Sequence, residues 1–284
     1  MAVSANRIKL TRSQLAIAAV LVVSACSPLP HRDGTVGGDS AAMSRVGDAA
    51  RDTGDPATAL PLYQRAHRLD PQNLAPIIRV AETFNQLGAY REAGDAWASI
   101  LRLHPGNFDA LVGYGTTLTA LQQPLVALEH FERAQKLRET AALLNGMGVA
   151  HDMLGNAAQA QDAYRSGLKM APGSLRLANN LGLSLALSGD FTAAIKALET
   201  VVGMPGAGIG HRQNLALAYG LAGFTERARS VALQDLDDLS VQRNMAFYRL
   251  VGQIRDHAEK VAVVGAHTNG KIGGLAVQNA TVVR

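Results

Sequence analysis

Every 34 residues the chain returns to the same arrangement of small, large and polar positions. Gly54 and Gly88, then Gly155, Gly189 and Gly223, keep that step; Pro71 and Pro105 keep it too, and Pro172 closes a later matching unit. The small residues Gly47, Ala81, Gly115, Gly148, Gly182 and Ala216 follow it, with one residue dropped between the third and the fourth. So do Ala59, Ala93, Ala127, Ala160, Ala194 and Ala228. Four places after each of these stand Tyr63, Trp97, Phe131, Tyr164, Leu198 and Ala232. The spacing predicts two helices per unit. Glycine in the left-handed conformation stops the first helix, and proline ends the second at the residue before it. The small residue and the alanine let the two backbones approach. The large side chain lies one turn beyond the alanine and is expected to fill the gap to the next unit.

A helix–turn–helix period of 34 residues is the signature of tetratricopeptide repeats. The expected fold is all-α, a tetratricopeptide-repeat solenoid over 40–240 with six repeats starting near 40, 74, 108, 141, 175 and 209. The third repeat has Gln122 at the glycine position and Glu139 at the proline position, and the sixth lacks both aromatic and proline. No repeat buries its apolar face alone, so stacking is obligatory and the terminal unit needs a cap with a polar outer face. Residues 241–259, with Met245, Tyr248, Leu250 and Ile254 apolar, predict that capping helix. Residues 260–284 are rich in valine and glycine without a helical period and read as a flexible tail.

The amino-terminal pattern differs. Leu15–Val23 is an apolar run of nine residues, short of the roughly 20 needed to span a bilayer. Arg7, Lys9 and Arg12 precede it, and Ser24, Ala25 and Cys26 follow. A positive segment, a short apolar segment and small residues describe a secretory signal, here expected over 1–25. "VSAC" resembles the bacterial lipobox, whose cysteine is diacylated on sulfur and becomes the mature amino terminus. Cys26 is thus the candidate lipidation site, and it is the only cysteine in 284 residues. Residues 26–39 read as the lipidated cysteine and a flexible tether, with a coil reach of roughly 20 Å.

Charge changes little. The formal net charge is +4, but residues 1–25 hold three cations and no acid, so the remainder stands at +1. Lys and Arg are interspersed with Asp and Glu, so the footprint of a nucleic-acid binder is absent. No thiol besides Cys26 exists for a disulfide, a zinc site or a nucleophile, so packing must hold the body.

Candidate catalytic motifs fail on context. Ser166 and Lys169 form a Ser-x-x-Lys in a second helix without the accompanying motifs. The glycine-rich 206–210 follows a helix rather than a strand. His130 and Glu132 lack the paired cysteines of a zinc deaminase, and His151 takes a repeat position of packing residues. No enzyme, metal or cofactor is expected.

Binding is left to the surface. At the fifth position of successive repeats stand Ser44, Ile78, Val112, Asn145, Asn179 and Gln213, with Asn180 and Asn214 one place further on. Primary amides donate and accept at once. Asn145, Asn179, Gln213, Asn180 and Asn214 are therefore the candidate groove residues for an extended protein segment. The other reading of such amides, that they tie neighbouring helices together, stays open.

"ALLNGMGVAHDMLG", "LRLANNLGLSLALSGDFTAAI", "RQNLALAYGLAGFTERAR" and "DLDDLSVQRNMAFYRLV" together resemble the tight-adherence (Tad, Flp pilus) assembly lipoproteins of Gram-negative bacteria, over roughly 40–255. The resemblance implies a lipid-anchored protein on the periplasmic face of the outer membrane. It also implies protein partners in the pilus secretion machine, the secretin first among them. Ser27 after the cysteine fits outer-membrane sorting, since retention at the inner membrane calls for Asp. A scaffold for another envelope task, outer-membrane protein assembly or cell-wall synthesis, is the alternative.

Overall fold

The computed structural model of the protein describes residues 36–268, and among them the chain forms fourteen helices. Twelve pair as six hairpins: α1 (Val36–Asp52) with α2 (Pro56–Leu69), α3 (Leu74–Gln86) with α4 (Tyr90–Leu103), α5 (Phe108–Ala120) with α6 (Pro124–Gln135), α7 (Ala141–Met153) with α8 (Ala157–Met170), α9 (Leu175–Ser188) with α10 (Phe191–Val202), and α11 (Ile209–Leu221) with α12 (Thr225–Ala232). Then come α13 (Asp238–Gln253) and α14 (His257–Thr268). Signal, Cys26 and the residues up to 35 lie outside the described residues, as does 269–284.

Local chemistry sets the boundaries. Asn73, Asn107, Thr140, Ser174 and Asp190 each accept a backbone N–H at a helix start, a cap worth about 1 kcal/mol. The five glycines of the 34-residue series all have positive φ, between 74° and 95°. Gln122 makes the same turn at φ 60°, so one repeat keeps the geometry with a side chain, at roughly 1 kcal/mol.

Second helices pack on first helices. Aromatic residues, once in place, go further than the expected role of spacer to the next repeat. A Cβ built on Gly47 would meet Tyr63 at 2.7 Å, one on Gly115 would meet Phe131 at 2.6 Å, and one on Gly148 would meet Tyr164 at 2.3 Å. Each ring therefore sits on the small residue of its own repeat. Phe131 also abuts Gly146, and Trp97 abuts Gly113, both in the following repeat. Apolar clusters succeed one another along the solenoid, the largest running from α9 through α13 to Val261 and Val264 of α14.

Two boundaries correct the sequence reading. Helix α1 begins at Val36, inside the stretch expected as tether. Asp39 in its first turn suits the helix dipole, and Ser40 Oγ donates to Ala66 O of α2 at 2.8 Å, fixing that turn to the hairpin. At the other end, the expected single cap over 241–259 is two helices. Ile254 is extended, at φ −70° and ψ 133°, and Asp256 Oδ1 accepts from Glu259 N at 2.8 Å to start α14. Residues 260–268 are thus helical where a tail was expected.

Candidate binding groove

The first helices of neighbouring repeats touch: α3 with α5, α5 with α7, α7 with α9, α9 with α11, and α11 with α13. They line the inner face, and the five candidate amides sit between them. Asn180 Nδ2 on α9 donates to Asn145 Oδ1 on α7 at 3.0 Å. One repeat on, Asn214 Nδ2 on α11 donates to Asn179 Oδ1 on α9 at 2.9 Å. Asn244 Nδ2 on α13 donates to Gln213 Oε1 at 3.3 Å, extending the series by a residue that the 34-residue step does not reach. The rule is constant for two rungs: position five accepts from position six of the next repeat.

Burial decides what these amides can offer. Asn180 and Asn214 are 0% and 3% exposed, and Asn145, Asn179 and Gln213 are all under 9%. Of the two readings of these amides, the contacts in the structure are those that tie neighbouring first helices together. Each rung pairs one amide donor with one amide acceptor, whereas Gln213 Nε2 is buried with no hydrogen-bond partner. An extended segment gripped by these amides would first have to open the rungs. In the amino-terminal half, Asn85 Nδ2 on α3 donates to Thr117 Oγ1 on α5 at 2.9 Å, a comparable tie.

One buried carboxylate with several partners is not marked by the repeat pattern. Asp152, near the end of α7, is 0% exposed. Its Oδ2 accepts from Tyr164 Oη at 2.9 Å and its Oδ1 from Ser184 Oγ of α9 at 2.7 Å. His257 Nε2 of α14 lies 3.0 Å from the same Oδ1. Burial first, and then the neighbouring carboxylate, push the Tyr164 hydroxyl well above its ordinary pKa, so it remains a donor. Ser184 and His257 are both directed at the carboxylate. His151, beside it, is half-buried, and burial lowers its pKa. Ser166 and Lys169 lie on the outer helix α8.

Helix α14 thereby lies against the inner helices α7 and α9 and against α13. Lys260 Nζ donates to Leu187 O at the end of α9, 3.1 Å away. Val261 and Val264 are buried, and the rings of His267 and Phe247 of α13 stack 3.8 Å apart. Among the described residues no group of three or more His, Cys, Asp or Glu is placed to hold a metal ion.

Hairpins stacked in register, with first helices inside and second helices outside, define a tetratricopeptide-repeat solenoid. Residues 145–208 match the family model described as tetratricopeptide repeat. Among solved structures the chain is similar to the Cut9–Hcn1 hetero-tetramer of the APC/C, at 18% identity and a TM-score of 0.67. That likeness covers 74% of this chain and 43% of the other, so this chain spans less than half of that relative. It is also similar to PilW, described as a widely conserved type IV pilus biogenesis factor, at 16% identity and a TM-score of 0.63 over 73% of this chain and 96% of that one. With the pilF protein of Pseudomonas aeruginosa it shares 16% identity and a TM-score of 0.60, covering 74% and 98% of the two chains. At these identities the likeness is one of fold. No curated protein matches the chain in sequence.

Proposed function

We propose that this protein is a lipid-anchored, protein-binding scaffold at the periplasmic face of the outer membrane, serving assembly or localisation of the Flp/Tad pilus secretion machine. The carrying observation is a helical-repeat solenoid, of the fold of the type IV pilus biogenesis factor PilW, following a run that resembles a lipobox and ends in Cys26. No helix among the described residues is long and apolar enough to cross a membrane, and a diacylated Cys26 would supply attachment at about 0.8 kcal/mol per buried CH₂. The solenoid then presents its inner face to protein partners, the secretin first among them.

Two measurements test this reading. Labelled fatty acid should enter the wild type and not Cys26→Ser; equal labelling removes the anchor. Crosslinking in envelopes should join the solenoid to the secretin, and pilus assembly should fail without the protein. Crosslinks to outer-membrane assembly or cell-wall synthesis proteins instead would move the scaffold to that other envelope task.

A further inference from the structure

The carboxyl-terminal end of the solenoid leaves one first helix without a second. Asn244 donates to Gln213 as Asn214 donates to Asn179, so α13 sits in the register of a first helix and Ala246 takes the place that Ala216 holds in α11. In all six hairpins that small position is buried: Gly47, Ala81, Gly115, Gly148, Gly182 and Ala216. Ala246 is exposed. Helix α14 does not cover it, because α14 turns back onto α7 and α9 and its ring contact with α13 is made by His267 on Phe247.

We propose that this open face of α13 is a self-association surface, and that its occupant is the same face of a second copy of the chain, packed antiparallel. The proposal goes beyond the scaffold reading above and does not depend on it.

The face continues the packing surface of the array and is self-complementary. Leu239, Ala246 and Leu250 follow one another at helical spacings that put them on one stripe. Leu239 and Leu250 are 57% and 54% exposed, with exposed Ala246 between them. Gln242, Arg243, Arg249 and Gln253 flank the stripe and are exposed as well, whereas Val241, Tyr248 and Val251 on the opposite side are buried in the solenoid. A leucine stands at each end of the stripe, so an antiparallel copy sets Leu239 against Leu250 twice, and the small Ala246 lets the two axes approach. A two-fold interface requires the same patch to fit itself in this way.

Charge selects the same orientation. Asp237 and Asp238 open α13, and Asp238 keeps an exposed carboxylate beside Arg229. Arg249 stands near the other end. Antiparallel pairing brings the acidic start of each helix to the Arg249 end of the other, whereas parallel pairing would set acid on acid. Two helices of sixteen residues make an interface at the low end of the specific range, about 1,000 Å², so the expected dimer is a reversible one.

The test uses the full chain in a Cys26→Ser background, which carries neither lipid nor thiol. Sedimentation equilibrium should show a dimer that half-dissociates between about 1 and 100 μM. Leu250→Arg should raise that concentration at least tenfold with helical content unchanged. Orientation is read by disulfide cross-linking between chains of two tagged lengths. Leu239→Cys mixed with Leu250→Cys should cross-link at least tenfold faster than either variant with itself, because about 16 Å of helix separates the two positions. Three results would overturn the proposal: a chain that stays monomeric throughout this range, whatever else covers α13; a dimer that Leu250→Arg leaves unchanged; or cross-linking that does not favour the mixed pair. None of them bears on the fatty-acid and envelope experiments.

Discussion

Gly148 and Asp152 sit one turn apart on α7, and Tyr164 touches both. The ring lies over Gly148, where a Cβ would stand 2.3 Å from Cε1, while its hydroxyl is fixed to Asp152. The ring therefore has no easy retreat from an added methyl. Gly148→Ala should cost about 1–3 kcal/mol by overpacking, lowering the melting temperature by roughly 2–4 °C per kcal/mol in a chain of this size. Gly173→Ala is the control, because nothing lies within 4 Å of that Cβ; it should move stability by no more than about 0.5 kcal/mol. An equal effect of the two in thermal melts would refute the close contact. The small position was legible from its 34-residue recurrence, since spacing reports local packing. Asp152 was not, because its partners come from α8, α9 and α14 and no local pattern marks it.

The amides make a second argument at this scale. Asn180→Ala leaves the buried Asn145 carbonyl without its donor, at about 1–3 kcal/mol. A double-mutant cycle in urea between Asn145→Ala and Asn180→Ala should then return a coupling of about 0.5–3 kcal/mol. Coupling near zero would mean the rung contributes no stability. The sequence located these amides by register, and it offered both partner-binding and helix-tying for them. Spacing alone does not tell which way an amide turns when the neighbouring helix carries a matching amide one place on.

At the scale of elements, the hairpins were readable and the carboxyl-terminal cap was not. Five of the six repeat starts coincide with helix starts at Leu74, Phe108, Ala141, Leu175 and Ile209, because caps, αL turns and prolines are short-range signals. The division of the cap into α13 and α14 has a local signal as well, Asp256 with Glu259 three places on, but valines and Gly265 obscure the helical period beyond it. The join between α12 and α13 depends on charge. Arg212 of α11 donates through Nε to Asp235 Oδ2 at 2.8 Å, and this partner holds the Asp235 carboxyl below its ordinary pKa of 3.8. A carboxylate with a depressed folded pKa contributes stability that is present above the unfolded value and lost as pH falls through the folded one. The stability gap between wild type and Asp235→Asn should therefore be full near neutrality and shrink below a pH of about 4, as read from denaturant midpoints across pH. A gap that widened in acid would contradict the pairing.

In the whole molecule, α14 changes how the solenoid holds together. A repeat array is coupled to nearest neighbours only, so opening can begin at any point and spread step by step. Here His257 and Lys260 bring α14 onto α7 and α9, three and two hairpins back, while Val261 and Val264 join a cluster that already spans α9 to α13. The carboxyl-terminal half is thereby closed by a long-range strap, whereas α1 to α5 keep the neighbour-to-neighbour coupling of an ordinary array. Hydrogen exchange should read the difference. In the wild type, amides of α7, α9, α11 and α13 should share one high protection class, and those of α1 and α3 should exchange faster from local opening. Val264→Asp should lower protection on α7 and α9 together, leaving α3 unchanged because it packs against α2, α4 and α5. Loss confined to α14 itself would show that the strap adds nothing to the helices beneath it. Uniform loss from α3 to α13 would show one cooperative unit instead of an array with a strapped end.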